Sequence, residues 1–188
     1  MVLERARAFD RGGASSSGWS REEPRLKGSL RRRRLRGPMY LTRAELVRLG
    51  EWKAPRIRPL IARNTPGGVR GLTSAAFGTP DERRRVRLLQ GLSGVGLPVA
   101  SVILHFAEPD RYPVYDVWVL TALRRVGVGE RFPPTPEGWV AYVACLRWLA
   151  RRHRVSLRTL DKALWQLGKE GYPRMGRRGR LAPCAESR

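Results

Sequence analysis

The stretch 91-GLSGVGLPVASVILHFAEPDRYPVYD-116 sets glycines at 91, 94 and 96 ahead of an apolar run and closes on a single aspartate. Val99, Val102, Ile103 and Phe106 recur at i, i+3, i+4 and i+7, the spacing of one helix face. Pro98 suits a first helical turn, where its missing N–H costs nothing. Periodicity alone also allows a strand over VASVIL, but no pairing hairpin accompanies it, so a helix is expected. Upstream, Val86, Leu88, Leu89 and Leu92 form a second apolar stripe that ends near Gln90. The segment therefore predicts a helix, a short turn over 91–96 and a second helix. Gly94 and Gly96 remove Cβ where the backbone must bend sharply or let a ligand approach. Amides at the start of the second helix lie at the positive end of its dipole and suit a phosphate without reading a base.

Helical signals continue on both sides. Thr42 and Glu45 make a capping box, T-R-A-E, opening a helix through about Leu49. Thr79 and Glu82 make a second, T-P-D-E, with Pro80 at its first helical position. Trp139, Tyr142, Val143, Leu146 and Leu149 share one helical face, as do Leu157, Leu160, Leu164 and Leu167 after a cap at Ser156. Alternating runs bounded by turns are missing, and no internal repeat occurs. The expected fold class is all-α, a compact helical bundle containing a helix-hairpin-helix. Residues 1–38 contain GGASSSG and the basic block 31-RRRRLR-36 and read as a flexible basic arm, with Met39 an alternative native start. Residues 39–168 form the expected helical domain, and 169–188, with GRRGR, a basic C-terminal tail.

Charge narrows the partner. The 188-residue chain has 38 Lys+Arg against 16 Asp+Glu, a formal net charge of +22. Beyond residue 38 the balance is still 27 basic to 12 acidic. A polyanion is the economical partner, with double-stranded DNA first. Arginine accounts for 34 of the 38 basic residues, so compositional bias contributes as well. Two cysteines, Cys145 and Cys184, neither support a disulfide framework nor suffice for a four-cysteine iron–sulfur cluster. No run approaches the ~18 apolar residues of a membrane span. The N-terminus lacks the apolar segment of a signal peptide. The expectation is a cytoplasmic, nucleoid-associated monomer without metal, cofactor or membrane.

The turn L-S-G-V-G followed by x-x-x-A is close to the usual helix-hairpin-helix pattern. With the Pro-rich loop 109-PDRYPV-114 and Asp116, it resembles the hairpin, loop and aspartate signature of the endonuclease III and adenine-glycosylase superfamily, over Asp81 to Asp116. A wider similarity to a small bacterial branch without the iron–sulfur cluster rests on 52-WKAPR-56, 94-GVGLPVAS-101 and 161-DKALWQ-166. The resemblance implies base excision: a flipped base enters a pocket, and an aspartate stabilises the developing sugar cation and helps activate the nucleophile. Carried over by position, Asp116 matches the catalytic acid and Gly94, Val95 and Gly96 the phosphate-binding hairpin. Bifunctional members place a lysine two residues after the second hairpin glycine. Here Pro98 stands there, and it has no amine for Schiff-base chemistry. The implied activity is therefore a monofunctional DNA N-glycosylase.

Each assignment has a plainer competitor. Asp116 also reads as an N-cap of the helix 117–125. Lys53, one of four lysines among 34 arginines, is an alternative nucleophile or a surface cation. Trp52 and Trp118 are pocket candidates that could stack on a displaced base or pack in the core. Arg151 and Arg152, within 151-RRHR-154, are backbone-contact candidates or a solvated face. His105 and His153 have no partner at metal-ligand spacing. The main alternative function is a non-catalytic helix-hairpin-helix DNA-binding module, and a third is RNA association through the basic tails.

Overall fold

A computed structural model describes residues 22–35, 37–128 and 132–170. Among them all regular structure is helical, as the periodicity requires. The chain divides after Pro109 into two units, and the expected domain over 39–168 spans both.

The N-terminal unit contains α1 (Glu22–Arg34), α2 (Arg43–Lys53), a 3-10 turn Pro55–Ile57, α3 (Arg58–Ile61), α4 (Pro66–Gly78), α5 (Glu82–Gln90) and α6 (Leu97–Ala107). Helix α6 is its axis. Every residue from Leu97 to Ala107 except Pro98 is buried, which is why VASVILHF reads as a continuous apolar run rather than a stripe. Helices α1, α2 and α5 pack against it.

The arm expected over 1–38 is corrected over Glu22–Arg34, which forms α1. Leu26 and Leu30, one turn apart, are 5% and 1% exposed. Glu23 is buried with them and accepts from Lys27 Nζ at 2.7 Å. Two apolar residues among many arginines give a weak sequence signal, yet they suffice once α6 supplies a surface. The block Arg31–Arg34 sits in the last turn of α1, where cations are favoured by the helix dipole. Residues 1–21 and 171–188, including most of the expected tail, lie outside the described residues.

The box at Thr42 and Glu45 forms as expected. The second start is corrected: Asp81, not Thr79, caps α5, accepting from the Arg83 and Arg84 amides at 2.9 and 3.2 Å. A carboxylate closer to the first turn takes the two orphan amides, which leaves Pro80 outside the helix. Helix α4 was not expected, because four of its thirteen residues are glycine. It starts at Thr65, whose hydroxyl accepts from Gly68 N–H, with Pro66 in its first turn.

The C-terminal unit contains α7 (Val117–Arg125), α8 (Pro136–His153) and α9 (Leu157–Glu170). Ser156 Oγ accepts from the Thr159 amide at 3.0 Å, as the predicted cap requires. Helices α9 and α7 approach so closely that a Cβ on Gly168 would overlap the Trp118 carbonyl oxygen. Tyr112, Trp139, Tyr142 and Leu146 are fully buried in this unit.

Glu45 ties α1 to α2. Burial pushes its carboxyl upward, but hydrogen bonds from Arg33 and from the Thr42 amide and hydroxyl outweigh burial and hold it below the usual 4.5. A group with a lowered folded pKa contributes stability above about pH 4.5 and loses it as pH falls through the folded value. Glu45→Gln should be about 1–2 kcal/mol less stable at neutral pH. Urea unfolding at several pH values should show the gap to wild type closing as pH drops below 4.5.

Candidate nucleic-acid interface

Helix α5 is amphipathic. Val86 and Leu89 are completely buried, while Arg83, Arg84 and Arg87 are exposed. Arg85 is the exception: it is 3% exposed and reaches Glu108 at 3.2 Å and the Thr79 carbonyl at 2.6 Å. After Gln90 the chain turns. Leu92, Val95 and Leu97 point inward, whereas Ser93, Gly96 and Pro98 are exposed. The Val95 amide donates to Leu92 C=O at 3.1 Å and closes the bend.

The two turn glycines have different physical reasons. Gly94 has φ +77°, and a Cβ there would lie 2.9 Å from Ile61 Cγ1 and 3.0 Å from Leu60 Cβ. Conformation and packing both demand glycine. Gly96 has φ −80°, open to any residue, and its added Cβ would meet nothing nearer than Pro98 Cδ at 3.7 Å. It caps α6 without a side-chain hydrogen bond. Among the described residues the Gly96 and Leu97 amides donate to no internal acceptor. The turn thus presents a bare, positively polarised helix end at a site where the fold does not require glycine.

Asn64 holds the bend. Its Oδ1 accepts from the Ser93 amide at 2.8 Å, and its Nδ2 donates to Ser93 C=O at 2.9 Å and Ile61 C=O at 2.8 Å. Sequence reasoning missed this residue. N-T-P-G-G marks a turn, but nothing local reveals a partner 29 residues away. Arg63 beside it, and Arg84 and Arg87 on the α5 face that leads to Gly91, are exposed cations of the same unit. Trp52 and Lys53 also belong to this unit. Trp52 packs edge-on against Phe106 at 5.0 Å, and half-buried Lys53 ends α2.

In the C-terminal unit, Asp116 caps α7. Its Oδ1 accepts from the Trp118 amide at 2.9 Å, and the residue is half-buried. The loop before it is fixed from inside. Tyr112 stacks on Trp139 at 6.0 Å, Tyr115 Oη donates to Phe132 C=O at 2.8 Å, and Tyr142 Oη donates to Val114 C=O at 2.7 Å. Arg147 Nε reaches Arg111 C=O at 2.7 Å. Burial, then the Asp161 and Asp116 carboxylates, push the Tyr142 phenol far above its usual range, so it remains a neutral donor. Periodicity placed Tyr142 in the core but gave no hint that its hydroxyl holds the segment before Asp116.

Trp118 is 40% exposed and Val117 60%, an apolar surface directly after the carboxylate. Arg151 and Arg152 are exposed in the last turn of α8. Arg154 then adopts the left-handed conformation, φ 53°, that usually favours glycine. His153 is pushed below its usual value by burial and Arg152. The structure therefore groups Gly94, Val95, Gly96, Trp52 and Lys53 in one unit, and Asp116, Trp118, Arg151 and Arg152 in the other.

Searches of protein-family models, curated proteins and solved structures found no match.

The glycines make opposite predictions. Gly94→Ala should cost about 1–3 kcal/mol in denaturant unfolding, from the positive φ and the Ile61 overlap. Gly96→Ala should unfold within about 0.5 kcal/mol of wild type. It should nevertheless bind duplex DNA about tenfold more weakly in fluorescence anisotropy, because a methyl group then covers the helix end.

Proposed function

We propose that this chain binds the sugar-phosphate backbone of duplex DNA through the 91–96 turn and acts as a monofunctional DNA N-glycosylase with Asp116 as its acid. The observation that carries the binding half is Gly96: an exposed, uncapped helix end kept free of a side chain with no demand from backbone or packing. Exposed Arg63, Arg84 and Arg87 and the net charge of +22 support a polyanionic partner.

The catalytic half rests on the resemblance of the turn, loop and aspartate to the glycosylase superfamily. The chemistry asks for a carboxylate beside a sugar that becomes cationic as the base departs with the bonding electrons. Water then adds to C1′ and releases its proton. Asp116 sits at the positive end of α7, on a loop fixed by two buried tyrosine hydroxyls, and Trp118 offers an exposed indole beside it. A positioned carboxylate and a flat apolar surface suit an extruded nucleotide.

A second reading is a non-catalytic DNA-binding module. It is favoured by the bond from the Trp118 amide to Asp116 Oδ1, since capping α7 is a sufficient reason for an aspartate there.

Asp116→Asn distinguishes the two readings, because asparagine caps a helix about as well and leaves α7 intact. On duplexes carrying a panel of damaged or mismatched bases, wild type should release at least one base. The variant should lose that release by about 100-fold or more while its DNA affinity stays within about twofold. Release that survives the substitution removes Asp116 from catalysis. Binding without release from any duplex selects the non-catalytic module.

A further inference from the structure

An open recess of about 390 Å³ lies in the N-terminal unit, lined by Ser29, Arg32, Arg33, Gly37, Pro38 and Tyr40. It uses no residue of the 91–96 turn. Its frame is built from interlocking side-chain contacts. The Tyr40 ring is covered by two guanidinium groups, Arg33 at 4.7 Å and Arg70 at 4.4 Å from the ring centre. Arg33 is further fixed by donating to Tyr40 C=O at 2.9 Å and to Glu45. Stacking and a carboxylate anchor hold a guanidinium's planar fork in place, so less freedom is lost when a ligand docks.

The charges do not cancel. Glu45 is the acid that pairs with this cluster, and it is engaged by Arg33, the Thr42 amide, the Thr42 hydroxyl and Ser29. It neutralises Arg33. Among the described residues Arg32 is exposed with no ion pair, and the Arg70 guanidinium lies over the Tyr40 ring and pairs with no carboxylate. Two uncompensated cations therefore stand at the recess, Arg32 in its lining and Arg70 against the ring of the lining Tyr40. A phosphomonoester carries close to two negative charges at neutral pH, whereas a phosphodiester carries one. The volume lies at the lower end of small-ligand sites and exceeds what a lone phosphate fills, leaving room for an attached sugar.

We infer that this recess is a binding site for a phosphomonoester dianion attached to a nucleoside, with Arg32 as the recognising cation beside the preset Arg33–Tyr40–Arg70 stack. The same chemistry is offered by the terminal phosphate of a nucleic-acid strand and by a free nucleotide. The inference does not depend on catalysis by Asp116 or on the turn.

The test uses the full chain at fixed ionic strength, titrated calorimetrically with adenosine 5′-monophosphate and with a short oligonucleotide bearing either a 5′-phosphate or a 5′-hydroxyl. Arg32→Ala is compared with Arg48→Ala, an exposed arginine of α2 that lines no part of the recess. Wild type should prefer the phosphorylated oligonucleotide, and Arg32→Ala should weaken phosphate-dependent binding about tenfold. Arg48→Ala, with the same change in charge, should shift it less than about twofold. A loss that includes adenosine 5′-monophosphate identifies a site open to free nucleotides; a loss confined to the phosphorylated strand identifies a strand-end site. Equal effects of the two substitutions overturn the inference, as does a failure of both the 5′-phosphate and the mononucleotide to bind above the hydroxyl control. Gly96→Ala leaves the recess intact and should retain phosphomonoester binding, so failure here and failure of the turn reading are separable.

Discussion

Asn64 grips both the amide and the carbonyl of Ser93, and the exposed turn depends on that clamp. A glycine-containing bend has many conformations open to it, and one side chain closing two backbone bonds removes most of them. Ile61 completes the restraint by filling the space a side chain on Gly94 would need. The free end of α6 is thereby held in one orientation before any partner arrives. Preorganised amides lose little entropy on binding an anion, which lets a small motif contribute more than its area suggests. One glycine is consumed by the fold, and the other is not required by it.

The same logic governs Asp116. The residue is half-buried, and the loop before it is tied down from inside. Tyr112, Tyr115 and Tyr142 pin that loop through ring packing and hydroxyl-to-carbonyl bonds that are buried and hence strong relative to water competition. Tyr142 keeps its proton because burial and two nearby carboxylates oppose ionisation. An acid with a fixed backbone and an exposed indole as its neighbour suits either catalysis or helix capping, and the capping bond to Trp118 serves both.

Much of the architecture was legible in the sequence where periodicity was strong. The buried run of α6, the face of α8 through Trp139 and Leu149, the capping box at Thr42 and the cap at Ser156 all form as spacing predicts. The reading failed where local composition and tertiary context disagreed. Helix α1 has two core leucines among arginines and looks like a tail until α6 is placed under it. Helix α4 carries four glycines and is helical because its cap and its buried Val69, Thr73 and Ala76 are anchored from outside. The α5 start moved two residues because Asp81 competes better than Thr79 for the same amides. The bend at Gly94 and Gly96 and the helix start at Asp116 could be singled out from the sequence. Asn64 and the tyrosine hydroxyls could not, since their partners lie 17 to 29 residues away and leave no local pattern.

The exposed Gly96 amide at the start of α6 is proposed to meet a DNA phosphate, and its chemical shift tests this most directly. In a titration of the ¹⁵N-labelled chain with duplex DNA, the Gly96 amide resonance should move downfield and saturate at the same stoichiometry as the bulk binding signal. If that resonance stays in place while amides on the other arginine-bearing faces shift, the DNA is held elsewhere and the account of the turn is contradicted.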